Sequence, residues 1–246
     1  VVIEREGEEL VVSSGRSVVH VKGSPSDDYP VMPDPQGEHS YTLLVAPLQK
    51  SLERVVSSVS RSEVRPELSG VCWRFFSEYH NGLILAATDS YRLAEQKMSV
   101  AQGDGGFSAI VPGKTVSEML RILSQSSEGE TQVRVLFSPS QCVFRYGSVE
   151  LVSRLIEGKY PEYATILPKS IASSAVMSEE SFTSVIKGAS VFTVEGVQAV
   201  RFELLPEEGV LSVTSGSREK GNFASQVEAE VTGEKAQITL NCRYIL

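Results

Sequence analysis

The residues that could carry covalent chemistry are few and poorly placed for it. The chain has three histidines, His20, His39 and His80, each in a polar or loop-like context. No metal-ligand spacing, phosphate-binding Gly loop or nucleophile elbow occurs. Asp27-Asp28 and Glu8-Glu9 are adjacent pairs and read as solvated loop rather than as an acid/base couple. Cys72, Cys142 and Cys242 are an odd set without metal spacing, which fits buried, reduced thiols in a cytoplasmic protein. No catalysis, metal or cofactor is expected. What the chain can do is recognise a partner. On a helical wheel of about 100° per residue, Lys50, Arg54 and Arg61 fall within about 40° of one another, opposite an apolar stripe. Lys114 and Arg121 share one face of a second helical stretch, Lys187 lies on a third, and Arg65 follows the first. Such faces suit a phosphate backbone, with contacts that ignore base sequence and weaken with salt. Any solvated helix also carries charges, and Glu53 and Glu118 dilute these two.

The elements that would hold these residues read as β-rich with a few helices. The chain has 246 residues, 41% of them hydrophobic, and a formal net charge of −8. No apolar run reaches the roughly 18 residues that would suggest a membrane span. The acidic total argues against nucleic acid only if position is ignored, because affinity follows where Lys and Arg sit. Residues 1–33 read as strands and an extended linker; the first residues are acidic and do not resemble a signal peptide. A strand is predicted at 41–45. A helix follows over 47–60, with Leu48, Leu52, Val55, Val56 and Val59 on one side. Strands over 68–76 and 83–88 flank a hairpin signal at Asn81-Gly82. A turn at 89–93 leads to a strand over 94–100. A strand at 108–111 precedes a helix over 112–125, with Val116, Met119, Leu120 and Leu123 inward. Further strands are predicted at 133–137, 142–146 and 149–154. Beyond them come a strand at 175–177, a helix over 179–190 and strands at 199–204, 210–214, 225–232 and 237–240.

The chain also repeats itself at intervals of about 130 residues, the size of a domain. Tyr29-Pro30 recurs as Tyr160-Pro161, and Gly15 after a strand-like run recurs as Gly147. The helical stretch from Ser51 to Val56 pairs with that from Ser181 to Ile186, and Ile110-Val111-Pro112 pairs with Thr239-Leu240-Asn241. Both ends fall inside a repeat, and no initiator Met is present. The expectation is the end of one copy in 1–38, a complete copy in 39–168 and the front of another in 169–246. The last copy is expected to stop where its second helix has just begun.

Four stretches carry a family resemblance. Ala87-Thr88-Asp89-Ser90-Tyr91-Arg92-Leu93-Ala94 resembles the "ATD-[GS]-[HY]-RLA" turn of the bacterial DNA polymerase III β subunit family, the sliding clamps. The stretch Arg65-Pro66-Glu67-Leu68-Ser69-Gly70-Val71 is similar to the family's "RP-x-L-x-G-V". The run Ser153-Arg154-Leu155-Ile156-Glu157-Gly158-Lys159-Tyr160-Pro161-Glu162-Tyr163 resembles "SRLI-[DE]-G-x-[FY]-P-[DE]-Y". The run Asn241-Cys242-Arg243-Tyr244-Ile245-Leu246 resembles "N-x-x-Y-[LI]-L". All occur in family order.

The resemblance implies an α+β DNA clamp fold of tandem pseudo-symmetric domains, each with two helices packed on antiparallel β-sheets. It implies a non-catalytic, cytoplasmic processivity factor: a homodimeric ring, when full length, around double-stranded DNA. Its helices would line the hole, which would place Lys50, Arg54, Arg61, Arg65, Lys114, Arg121 and Lys187 toward DNA. The family's peptide-binding cleft would take a short apolar segment of the polymerase III α subunit, the clamp loader or other clamp-binding proteins. Carried over by position, it would include Leu68, Thr88, Ser90, Tyr91, Arg92, Leu93, Pro161, Thr165, Ile166, Val197, Asn241 and Tyr244. Leu93 and Ile166 could equally be plain core. Ser90-Tyr91 stands where Gly-His is common, Thr165 where a basic residue is frequent, and Val197 where an aromatic can occur. Without most of a first domain and the end of a third, this chain is expected to bind peptides poorly and not to close a ring. A rival reading is a β-rich tandem-domain module that binds proteins but not DNA.

Overall fold

The computed structural model describes residues 1–25, 39–62, 64–103, 105–125 and 131–246. Tyr29-Pro30, Asp27-Asp28 and most of the expected linker lie outside them. The chain divides into two compact units, Val1–Lys159 and Tyr160–Leu246.

The first unit opens with the antiparallel sheet β1 (Val2–Glu6), β2 (Glu9–Ser14) and β3 (Ser17–Lys22). Gly15 turns the chain between β2 and β3 with φ 59°. Then come β4 (His39–Leu44), α1 (Val45–Val56), β5 (Gly70–Ser77), β6 (His80–Thr88), β7 (Leu93–Met98), β8 (Phe107–Pro112) and α2 (Gly113–Ser124). The unit ends with β9 (Gln132–Phe137), β10 (Gln141–Tyr146) and β11 (Val149–Arg154). Two four-stranded antiparallel sheets result, in the orders β11-β10-β9-β4 and β7-β6-β5-β8.

Strand alternation sends Tyr41 and Leu43 from β4, and Val133, Val135 and Phe137 from β9, into one core with Val71, Trp73 and Phe75 of β5. Tyr41 stacks on Phe75 with ring centroids 3.6 Å apart, joining the two sheets. Each helix adds one stripe at 3.6-residue spacing: Leu48, Leu52 and Val55 from α1, and Val116, Met119, Ile122 and Leu123 from α2. Ile122 is buried where Leu120 was expected to be; Leu120 sits at the edge of the stripe, partly covered. Cys72, Cys142 and Cys242 are buried and form no disulfide, and burial pushes the Cys142 thiol up to about 12.

The second unit repeats part of this plan with β12 (Ser173–Val176), α3 (Glu179–Val191), β13 (Ala199–Leu205), β14 (Val210–Ser217), β15 (Gly221–Glu228), β16 (Glu230–Gly233) and β17 (Ala236–Asn241). Its sheet order β15-β14-β13-β17 is that of β7-β6-β5-β8. Ile186 and Ala189 of α3 pack with Val200, Phe202, Leu211 and Val213. Ser178 caps α3, accepting the Ser181 N–H, and Glu179 and Glu180 occupy its first turn.

Five expectations need correction here. First, α1 starts at Val45, whose N–H donates to Thr131 O at 2.9 Å, and ends at Val56 rather than near Ser60. The serines at 57, 58 and 60 are weak helix formers, and Ser60 N–H bonds instead to Leu68 O at 2.9 Å. Arg61 is therefore off the helix, and its wheel position has no meaning. Second, the β5–β6 turn is at Glu78-Tyr79, because Ser77 pairs with His80. Asn81-Gly82 lies inside β6, where Gly82 serves close approach rather than a turn: a Cβ there would stand 2.5 Å from Met98 O. Third, the predicted strand at 225–232 is two strands, β15 and β16, and they belong to different sheets. Fourth, the second unit has one α-helix among its described residues; the predicted second is a 3₁₀ turn, Cys242–Tyr244. Fifth, Leu68, predicted to begin a strand, lies in a 3₁₀ turn, Pro66–Leu68.

Gly82→Ala is expected to cost about 1–3 kcal/mol, since the added methyl must displace a strand carbonyl. Urea denaturation would show it as a lower midpoint, and an unchanged midpoint would remove the close-approach explanation.

Candidate functional site

The turn between β6 and β7 is built from short-range hydrogen bonds. Thr88 Oγ1 donates to Arg92 O at 2.6 Å and accepts the Ser90 N–H at 3.1 Å. Asp89 Oδ1 accepts the N–H groups of Tyr91 and Arg92, each at 3.0 Å. These are the bonds that make Asp a turn former. Arg92 Nε lies 3.2 Å from Asp89 Oδ2, and its guanidinium also donates to Ser57 O, just past α1. Ser60 in the same segment donates to Leu68 O. The end of α1 thus ties Leu68 to the turn. Ser90 carries φ 77°, a left-handed backbone uncommon for a residue with a side chain.

Among the candidate docking residues of the first unit, Leu68 is only 2% exposed and belongs to the core. Thr88, Arg92 and Leu93 are half-buried, Ser90 is exposed, and Tyr91 at the tip is 81% exposed. In the second unit, Thr165 and Ile166 lie on the 3₁₀ turn Tyr163–Ile166, which Thr165 Oγ1 braces by donating to Glu162 O at 2.9 Å. Ile166 is 75% exposed, so the plain-core alternative does not hold for it. Pro161 is half-buried. Val197, 61% exposed, lies close to Asn241: Ala199 pairs with Asn241, and Cys242 N–H donates to Gln198 O at 3.0 Å. Asn241 Oδ1 accepts the Arg243 N–H and caps the 3₁₀ turn that holds Tyr244.

Sequence reasoning passed over Gln198, between Val197 and Ala199. It has φ 48°, and its buried Oε1 has no hydrogen-bond partner among the described residues. Glutamine carries no turn signature, so nothing in the sequence marks it. Ser57 was also missed, because it acts through a carbonyl that every residue has.

The basic residues are all exposed, but not equally available. α1 turns Lys50 and Arg54 away from the core, and α2 does the same with Lys114 and Arg121. Arg54 donates to Gln96 Oε1 at 3.1 Å. Glu118 holds Arg121, with Nη2 2.6 Å from Oε1; the Arg121 hydrogen bond keeps the Glu118 carboxyl below its usual range. Arg65 pairs with Glu67 at 2.9 Å. Lys50, Arg61, Lys114 and Lys187 have no ion pair with any described residue. Arg54 and Arg121 lie in last turns, where a helix dipole favours cations; Lys114 sits in a first turn, where it does not. Neither α1 nor α2 has an acidic residue in its first turn. Among the described residues, no cluster of His, Cys, Asp or Glu could hold a metal, and no helix is long and apolar enough to cross a membrane.

Residues 42–162 match the family model described as DNA polymerase III beta subunit, central domain, and 164–246 match that subunit's C-terminal domain. The chain belongs to the DNA polymerase III beta subunit family. The Beta sliding clamp of Staphylococcus epidermidis is 31% identical over 239 residues, which is 97% of this chain and 62% of that protein. A Staphylococcus aureus Beta sliding clamp is 30% identical over the same span. Among solved structures, the DNA polymerase sliding clamp from Bacillus subtilis gives a TM-score of 0.89 at 27% identity, covering 99% of this chain and 63% of that one. The beta subunit from Thermotoga maritima gives 0.85 at 24% identity, with 99% and 64% covered, and supports the fold alone. The fold is thus the α+β clamp fold, and the chain spans 62% of the length of the curated beta subunits just named.

Asp89→Ala would leave two turn N–H groups without their acceptor. At least tenfold faster hydrogen exchange at Tyr91 and Arg92 is expected, with a stability loss of about 1 kcal/mol. Unchanged exchange would show that the strands, not Asp89, hold the turn.

Proposed function

We propose that this chain is part of a sliding clamp: a non-catalytic, cytoplasmic processivity factor that encircles duplex DNA and tethers the replicative polymerase. In this reading residues 1–38 end a first domain, 39–168 form a second and 169–246 begin a third. The full-length protein is a homodimeric ring. Lys50, Arg54, Arg61, Arg65, Lys114, Arg121 and Lys187 lie toward DNA.

The observation that carries the DNA half is the pair α1 and α2. Their apolar stripes share one core, and their lysines and arginines are left on the solvent side. Phosphate contacts of this kind hold a duplex without reading it. Lys50 and Lys114 are the best placed, having no ion pair with a carboxylate among the described residues; Arg121 and Arg65 must first exchange Glu118 and Glu67 for phosphate. In the full-length protein, DNA association should weaken steeply with salt, and Lys50→Glu with Arg54→Glu should weaken it at least about tenfold at low salt. Binding to DNA indifferent to both changes would overturn the helix assignment. Absence of DNA binding would leave the protein-binding module as the reading.

The docking half rests on the locked turn at Thr88–Leu93, with Leu68 as support beneath it; Pro161, Thr165, Ile166, Val197, Asn241 and Tyr244 are proposed as further docking residues. Its ligand is an extended peptide with Leu and Phe side chains, from the polymerase III α subunit, the clamp loader or other clamp-binding proteins. A fluorescent Gln-Leu-Asp-Leu-Phe peptide should bind the full-length protein at micromolar concentration or below. Arg92→Ala or Leu93→Ala should each weaken it. No saturable binding by a folded dimer would remove the docking site from the proposal.

A further inference from the structure

Strand β7 carries one residue that its own alternation does not explain. Ala94, Gln96 and Met98 share one side of the strand, and Ala94 and Met98 pack with the core of the first unit. Gln96 stands between them, half-buried, where an apolar side chain would serve the core better. Both ends of its amide are used. Nε2 donates to Glu95 O at 3.0 Å, and Oε1 accepts from Arg54 Nη1 of α1 at 3.1 Å. A carbonyl can only accept, so the Glu95 contact takes the nitrogen end of the amide and leaves Oε1 for Arg54.

The second unit does without this pair. The repeat that matches Pro112 with Asn241 carries through the strand pairings to match Gln96 with Ser225. Leu52 and Val55 of α1 correspond to Ile186 and Ala189 of α3, which matches Arg54 with Gly188. Gly188 lies against the Phe223 ring, which a Cβ there would approach to 2.9 Å. This helix and this strand therefore pack without an Arg–Gln link, and folding alone does not call for one.

The link also differs from those at the other arginines. Glu118 and Glu67 hold Arg121 and Arg65 as ion pairs, so each offsets the charge it orients. Gln96 is neutral. It engages one donor of Arg54 and leaves the positive charge and the other guanidinium donors free to meet a ligand. Arg54 has no ion pair with any described residue. We propose that Gln96 is a positioning residue for DNA contact, holding the Arg54 guanidinium in place for a backbone phosphate without neutralising it. This rests on the DNA reading above. An arginine already held by one hydrogen bond gives up less rotamer freedom when it meets a phosphate. Lys50, one turn earlier on α1, supplies a second charge beside it.

The test measures binding of the full-length protein to a fluorescein-labelled DNA duplex at low salt. The parent is compared with Gln96→Met, Arg54→Ala and the double variant, with folding checked by circular dichroism. Gln96→Met keeps the length of the side chain and removes the acceptor; it should bind DNA about two- to fivefold more weakly. In the Arg54→Ala background the same change should make no further difference, and Gln96→Met should bind the Gln-Leu-Asp-Leu-Phe peptide within about twofold of the parent. Gln96→Ala repeats the measurement with a side chain too short to reach Arg54 and should give the same pattern. Parent-like or tighter DNA binding by Gln96→Met, with loss in Arg54→Ala, would overturn the proposal and leave the DNA reading standing. An equal loss in the Arg54→Ala background would make Gln96 a support of the whole helix and would overturn it as well. Arg54→Ala binding like the parent would remove Arg54 from the DNA face, and this proposal with it. Failure of the parent to bind the duplex would bring down the DNA reading and this proposal together.

Discussion

The shared core of the first unit is the constraint on which the rest depends. Two four-stranded sheets and two helices have one apolar interior between them, with Trp73, Phe75, Phe137 and Tyr41 at its centre. Each large apolar side chain buried there is worth about 1.5–3 kcal/mol. A twelve-residue helix is marginal in isolation, so α1 and α2 exist because their stripes are buried. Once the stripes face inward, Lys50, Arg54, Lys114 and Arg121 have no choice but the opposite side. The basic faces follow from how the core is closed.

The docking turn depends on the same core more indirectly. β6 is buried along most of its length, which holds Thr88 and Asp89 where strand meets loop. From there the turn is specified locally, by the Thr88 hydroxyl, the Asp89 carboxylate and the Arg92 guanidinium. The last also reaches Ser57, so the end of α1 and the turn support each other. A tight turn on a buried strand can present Tyr91 to solvent and still keep the backbone beneath it fixed.

The internal repeat shows how fold and sequence drift apart. β2–β3 and β10–β11 turn on Gly15 and Gly147 at φ 59° and 56°. The sheets β7-β6-β5-β8 and β15-β14-β13-β17 share one strand order. The helices repeat less strictly. The pattern that pairs Ser51 with Ser181 is one turn out of step with the buried residues, where Leu52 and Val55 of α1 correspond to Ile186 and Ala189 of α3. A shift of four positions keeps a residue on nearly the same helix face, so polar and apolar positions still coincide and the slip is invisible to pattern matching.

By itself, the sequence determined most of the elements. Period-2 and period-3.6 patterns located the strands around the buried helices, and Thr88, Asp89 and Arg92 announced the turn they build. These signals are local, and local hydrogen bonding and burial periodicity are enough to produce them. Tertiary structure decided the rest. Gly82 read as a turn, yet it is required where the Met98 carbonyl passes close by. Helix α1 stops at Val56 because Leu68 competes for the Ser60 N–H. Leu68 became core, while Ile166 and Tyr91 stayed in water. Arg121 found Glu118, whereas Lys50 and Lys114 found no carboxylate among the described residues. Each of these outcomes depends on which atoms a folded chain brings within a few ångströms of one another, and a pattern of residue types does not contain that information.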